Sequence, residues 1–227
     1  MITLPNLRVH HHPDPRKSRS PYLGLLKLGA EEDPTDARRS YYYGRKLFFA
    51  QQHEAAITEL ERYLALPGAT WKEERAAALR HIARCHLMLG QTADAQRAAF
   101  KSVFEDGSNH ESWLELAEAS RLTDDWATAN WAATKALAIA ERHSNPVAWG
   151  WHPHDFLALS AYFTGHNEEA VHHGEAALAL NPSYERLRKN LQFYRKALQR
   201  IQPLLPRPPQ AAPNGTHRIP KILHRGE

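Results

Sequence analysis

Apolar and small residues recur along this chain at helical spacing, and the recurrence itself repeats. Four times an apolar residue precedes a small residue beside another apolar one. About twelve positions later an alanine opens a second helical stretch. In the first copy Tyr43 and Gly44 precede Leu47, and Ala56, Leu60, Tyr63 and Leu64 follow before Pro67. The second has Leu79, Ile82 and Ala83, then Gly90, then Ala95, Ala99 and Val103. The third has Trp113, Leu116 and Ala117, then Trp126, Ala129, Ala133, Ala136 and Leu137. The fourth has Leu157, Ala158 and Ala161, then Gly165, then Ala170, Gly174, Ala177 and Leu178, and ends at Asn181-Pro182. Two further helices flank these copies. Ser20 reads as an N-cap with Pro21 in the first helical position, opening a short apolar helix that ends near Gly29. Residues 183–202 carry Leu187, Leu191, Tyr194, Leu198 and Ile201 on one face and arginines and lysines on the other, as a terminal capping helix does.

The alanines that open the second helices are Ala56, Ala95, Ala129 and Ala170, so the spacings are 39, 34 and 41 residues. The pattern resembles the tetratricopeptide repeat (TPR), whose period is about 34 residues. It predicts an all-α solenoid of about four helix pairs with capping helices over residues 19–202. The extra residues are expected in connecting loops at Pro67–Trp71 and Ser144–Pro153, because close helix crossings need small residues at fixed offsets. Residues 1–18 read as an extended lead-in. Residues 203–227 hold six of the chain's fifteen prolines in a basic stretch, which predicts a disordered tail.

Composition narrows the function classes. A mean hydropathy of −0.61 and the lack of a long apolar run argue against a membrane span or a membrane partner, and a cytoplasmic location is expected. The single cysteine, Cys85, forms no internal disulfide and no zinc-thiolate cluster. The formal charge is +4, of which residues 203–227 supply Arg207, Arg218, Lys221 and Arg225 against Glu227, or +3. The remaining +1 does not demand a nucleic acid. That partner would have to use the tail and the 183–202 helix, and it ranks last.

In such a solenoid the first helix of each pair lines the concave wall. The register places Arg38, Tyr41, Arg45 and Phe48 there, then Ala77, Arg80, Arg84 and Leu87, then Glu111, Leu114, Glu118 and Arg121, then His152, Asp155, Leu159 and Tyr162. Its N-terminal half is basic. Arginine forks beside Tyr41 and Phe48 suit an acidic peptide or a phosphorylated glycan. The plainer reading pairs these arginines with Glu54, Glu59, Glu73 or Glu74. Binding candidates are therefore Arg38, Tyr41, Arg45, Phe48, Arg80, Arg84, Arg121, Asp155 and Tyr162.

Two histidine clusters hold potential metal ligands: His10, His11 and His12 with Asp14, and His152 and His154 with Asp155. On an extended segment His10 and His12 share a face, but neither cluster matches a specific metal motif. His81, His86, His172 and His173 read as helix-surface or interface residues. No phosphate-cradling glycine loop, GxSxG or HExxH occurs, and the acid pairs Glu31-Glu32, Glu73-Glu74, Asp124-Asp125 and Glu168-Glu169 read as turn or helix-start residues. No catalytic residue, resident metal or cofactor is assigned.

A second resemblance is more particular. The run from Val9 to Leu23, with His-His-Pro-Asp, Lys17, Arg19 and Tyr22-Leu23, looks like the junction between the catalytic domain of a bacterial family 2 glycosyltransferase and its C-terminal tetratricopeptide region. Tyr42–Arg45, Glu61–Pro67, Glu74–Ala77, Ile82–Cys85 and Trp149–Leu157 are similar to that region too, so the resemblance covers about residues 8–195. It implies a metal role for His10, His11 or His12 in such enzymes, while the family's Asp-x-Asp motif has no counterpart here. The expected function is a protein-interaction module that binds an acidic peptide or a glycan-bearing protein in its concave groove. The alternative is an accessory or split part of a glycosyltransferase that positions the acceptor, so the partner would be such an enzyme or its acceptor.

Overall fold

The computed structural model describes residues 21–140 and 150–201, and in them the chain forms ten helices and no strand. They are α1 (Pro21–Glu32), α2 (Ala37–Phe49), α3 (His53–Ala65), α4 (Lys72–Met88), α5 (Thr92–Glu105), α6 (His110–Arg121), α7 (Trp126–Ala140), α8 (Trp151–Phe163), α9 (Asn167–Leu180) and α10 (Glu185–Ile201). Each helix packs on the next, and α2, α4, α6 and α8 also touch in that order, which lines the first helices of the four pairs along one wall. The fold is the expected all-α solenoid. The lead-in at 1–18 and the tail at 203–227 lie outside the described residues.

The repeat is fixed by backbone as well as by side chains. Five residues before each opening alanine the backbone takes positive φ: 59° at Gln51, 73° at Gly90, 56° at Asp124 and 85° at Gly165. Each residue forms the tight turn between the two helices of a pair, and glycine is the residue that adopts this region without a steric cost. The alanines that follow are 0–1% exposed, because the paired helices cross there. Gly44 marks the same requirement in α2, where an added Cβ would lie 2.8 Å from Leu60 Cδ2.

The first insertion falls in a different place from the one the alanine spacing suggests. From the start of the first helix to the left-handed residue is 14 residues in pairs one, three and four (37 to 51, 110 to 124, 151 to 165) but 18 in pair two (72 to 90). Four of the five extra residues are thus one more N-terminal turn of α4, and only one lengthens the segment before it. A turn added at the open end of a helix leaves the crossing register untouched. The second insertion lies between α7 and α8, with residues 141–149 outside the described ones. Trp151, His152 and Pro153 are not part of it, since α8 begins at Trp151. Pro153 is tolerated there because the first-turn N–H groups have no intrahelical acceptor.

One apolar cluster runs from Tyr41 through Leu60, Tyr63, Leu79, Ile82 and Leu116 to Leu157. A second, of Ala158, Ala161, Ala170, Leu191 and Tyr194, is closed by α10 as expected of a C-terminal cap. Helix α1 packs on α2 at the other end. Glu73, Glu74, Glu168 and Glu169 sit in first turns, and Asp125 accepts from the Thr128 N–H at the start of α7. Glu31 and Glu32 differ from expectation. They end α1, where the helix dipole opposes them, and Lys27 and Arg39 lie 3.6 Å away as counter-charges.

Candidate functional site: the concave wall

The wall begins at α2. Arg38 is exposed, its guanidinium 5.6 Å from the Tyr42 ring centre, and Arg45 lies 5.5 Å from that of Phe49. Neither makes an ion pair with a described residue. Tyr41 is turned inward: it is 7% exposed and packs on Tyr63 at 5.2 Å, so it offers a ligand little surface. Phe48 is half-buried, 4.5 Å from the ring of His81. The His81 Nδ1 is buried without a hydrogen-bond partner among the described residues. Burial, with Arg84, Arg80 and Arg45 nearby, pushes its pKa down to about 3.

From α4 onward each wall arginine is met by a carboxylate, one repeat away for Arg80, Arg84 and Arg186 and three residues back on the same helix for Arg121. Arg80 Nη2 donates to Glu111 at 2.9 Å and Nη1 to Ser112 Oγ at 3.3 Å. Arg84 Nε donates to Glu115 at 2.5 Å, Arg121 grips Glu118 through Nε and Nη2 at 2.8 Å each, and Arg186 of α10 donates to Asp155. The wall from Arg80 onward is therefore charge-compensated rather than basic. For Arg80 and Arg84 the acids responsible, Glu111 and Glu115, are those of the following repeat, not Glu54, Glu59, Glu73 or Glu74. Glu59 instead binds Arg62 and Ser40, and Glu74 accepts from the Tyr63 hydroxyl. Burial raises the pKa of Glu115 and of Asp155 above the usual carboxylate range, although Arg84 and Arg186 pull against it.

These pairs surround a cleft of 620 Å³ that draws side chains from α4, α6, α8, α10 and the turn before α10. Leu87, Met88, Leu114, Phe156 and Leu159 form its apolar lining, with Trp151 and Tyr184 in ring contact at 5.3 Å. Three guanidinium groups (Arg84, Arg121 and Arg186) face three carboxylates (Glu115, Glu118 and Asp155). Among the expected binding residues the cleft gathers Arg84, Arg121 and Asp155. Arg38, Arg45 and Phe48 lie farther along the wall on α2, and Arg80 is 9% exposed behind its partners. Tyr162 is half-buried in the second core cluster, 5.2 Å from Tyr194.

Sequence reasoning did not reach Glu115, Trp151, Tyr184 or Arg186 as wall residues. A signal for the ion pairs was present. Arg80 and Glu111, Arg84 and Glu115, and Asp155 and Arg186 are each 31 residues apart, close to one repeat. The histidines of the second cluster separate: His152 lines the cleft, and His154 meets His173, Nδ1 to Nδ1, at 2.9 Å. Among the described residues no three side chains converge as metal ligands. His10, His11, His12 and Asp14 lie outside the described residues. No described helix is long and apolar enough to cross a membrane.

The wall and its repeats define a tetratricopeptide solenoid, and the similar solved structures have that fold. The chain is similar to the TPR protein YrrB, described as having an unusual peptide-binding site, at 15% identity over 78% of this chain and 85% of that one, with a TM-score of 0.62. It is similar to MamA at 18% identity over 72% and 82%, TM-score 0.61, and to the C-terminal part of a TPR repeat-containing protein from Cytophaga hutchinsonii at 15% over 76% and 66%, TM-score 0.60. Such identities establish the fold alone. No family model matches the sequence. No curated protein matches it either. The glycosyltransferase resemblance rests on the sequence runs given above.

Proposed function

We propose that this chain is a protein-interaction module that holds an extended peptide segment of a partner along its concave wall. An apolar side chain of the peptide enters the cleft between α4, α6, α8 and α10, and acidic residues lie toward Arg38 and Arg45. The observation that carries this reading is the convergence of Leu114, Phe156, Trp151 and Tyr184, from separate parts of the chain, on one cleft of 620 Å³. Apolar pockets with a few fixed polar groups are the usual form of a recognition site. Arg84, held by one edge on Glu115, is still 47% exposed and keeps donors for the ligand. Tetratricopeptide proteins as a class support a binding role, and the fold hosts many partners. The description of YrrB belongs to YrrB and is consistent with a peptide ligand.

A glycan-bearing acceptor is the second reading, in which the chain is an accessory or split part of a family 2 glycosyltransferase. The observation that favours it is Trp151 and Tyr184 at the cleft, since flat aromatic faces suit sugar rings. Selection of displayed peptides on the immobilised full chain, with counter-selection on Leu114→Glu, tests both. A shared motif of an apolar anchor followed by acidic residues is expected. Its affinity should fall about ten-fold or more in Leu114→Glu and less in Arg45→Glu. Peptides that bind both proteins equally overturn the groove assignment. Capture from a glycan array without any peptide motif favours the second reading.

A further inference from the structure

Helix α10 closes the second core with one face and leaves the other to solvent. Leu187, Leu191 and Tyr194 are buried. The outer face carries Arg188, Lys189, Arg195, Lys196 and Arg200, all exposed, with Phe193 among them. At about 100° per residue these positions fall within about half of the helix circumference, along a stripe about 18 Å long. Glu185 and Glu175 meet Lys189 and Arg195 at 2.8 and 2.7 Å, but both pairs are exposed, where such contacts are weak. Arg188 donates to the Pro182 carbonyl, which leaves its charge unmet, and Lys196 and Arg200 have no ion pair among the described residues. The sequence around this face is one-sided. Residues 186–226 hold ten lysines and arginines and no aspartate or glutamate, while residues 1–185 hold 19 against 24. Counted from Pro203 the basic excess is +3, and a nucleic acid ranks last. Counted from α10, the chain divides into residues 1–185 at −5 and residues 186–227 at +9.

We propose that the outer face of α10 binds single-stranded nucleic acid, with its cations along the phosphates and Phe193 stacked on a base. A run of phosphates complements a stripe of one sign, and a body of the opposite sign repels the strand and so confines it to this face. Phe193 is 57% exposed and lies one turn from both Lys189 and Lys196. An aromatic ring within a basic stripe is the combination that holds single strands, because every base has a flat face to stack. In a duplex the bases are already stacked on one another, and the ring would gain nothing. An anionic bilayer fits less well. A helix that lies in a membrane surface buries an apolar face there, and the apolar face of α10 is occupied by the core. Of residues 185–200, Phe193 alone among the large apolar ones is exposed. The stripe matches a strand of about four nucleotides, the low end of known site sizes. None of its residues lines the concave cleft, so the strand and a groove-bound peptide use different surfaces.

Fluorescence anisotropy of a labelled oligouridylate of about 20 nucleotides, titrated with the full chain at about 50, 100 and 200 mM salt, is the test. Micromolar binding is expected at the lowest salt, with log Kd rising against log salt at a slope of about 3, as a handful of phosphate contacts requires. The double variant Lys196→Glu, Arg200→Glu changes two exposed positions without ion pairs. It should keep the wild-type melting curve while Kd rises about ten-fold or more. Phe193→Ser should raise Kd about five-fold or more and leave the salt slope unchanged. Leu114→Glu, in the cleft, should bind the oligonucleotide like wild type, which keeps this result separate from that of the peptide selection. An oligouridylate left unbound by about 100 μM chain at the lowest salt overturns the proposal, whether or not phosphatidylserine vesicles are captured instead. Wild-type affinity in the double variant or in Phe193→Ser, or equal affinity for polyglutamate, overturns it as well.

Discussion

The two ends of the concave wall use the same residue type in opposite ways. On α2, Arg38 and Arg45 lie over aromatic rings and have no carboxylate partner among the described residues. On α4 through α10, Arg80, Arg84, Arg121 and Arg186 are each held by an acid, two of which, Glu115 and Asp155, are nearly buried. For Arg80, Arg84 and Arg186 the difference is one of neighbours rather than of local sequence, while Arg121 is held by Glu118 of its own helix. A first helix followed by a repeat with acids at the matching positions has its charge neutralised, and one without keeps it available. A count of arginines along a repeat wall is therefore a poor measure of its potential, and the offset of one repeat must be read with it.

The comparison is broken most sharply by charge reversal at each end. Arg84→Glu would set a new carboxylate against buried Glu115 and nearby Glu118. It should cost about 2 kcal/mol in urea unfolding, less than for a fully buried pair because Arg84 is 47% exposed while Glu115 is buried. Arg45→Glu, on the exposed side of α2, should cost less than about 0.5 kcal/mol. Equal losses at the two positions would remove the distinction.

Acid should also separate the two ends. His81 has its folded pKa pushed down to about 3, below the unfolded value near 6.5. The unfolded chain therefore takes the proton first, and His81's contribution is intact above pH 6.5 and is lost as pH falls toward 3. Between pH 6.5 and 5 that amounts to about 2 kcal/mol, and His81→Phe should flatten this part of the stability profile by a similar amount. Glu115 and Asp155 act in the other direction. Their folded pKa values are raised, so the cost of burying their charge is present at neutral pH and is relieved as pH falls. A His81→Phe protein with the wild-type pH slope would show that the histidine is solvated.

The smallest effect concerns the turns that set the register. Gln51 has φ of 59° and Asp124 of 56°, where pairs two and four place glycine. Replacing Gln51 by glycine should stabilise by about 0.5–1 kcal/mol, because the relief of left-handed strain exceeds the added entropy of the unfolded chain. Asp124→Gly should gain less, since aspartate tolerates this region better. Thermal unfolding of both variants would sharpen the comparison of the first and third pairs.

Much of this molecule is legible in the order of its residues. Ala56, Ala95, Ala129 and Ala170 locate four helix crossings, Gly90 and Gly165 locate two turns, and the face of Leu187, Leu191 and Tyr194 locates the cap. These features act within one helix pair or between immediate neighbours, so period and residue size suffice to find them. The extra turn of α4 and the start of α8 at Trp151 were not readable in that way, because a longer helix and a longer loop give the same alanine spacing.

The wall's charge state lay further from reach. It depends on side chains 31 residues apart, brought together only when α4 stacks on α6 and α10 folds back beside α8. Composition and helical register determined that this chain is a repeat solenoid and which helices line its wall. Tertiary stacking decided that Tyr41 is core, that Arg84 is tied to Glu115, and that Trp151, Tyr184 and Arg186 complete a cleft. The physical reason is range: helix formation and pair crossing are local, while burial and ion pairing depend on what the next repeat presents.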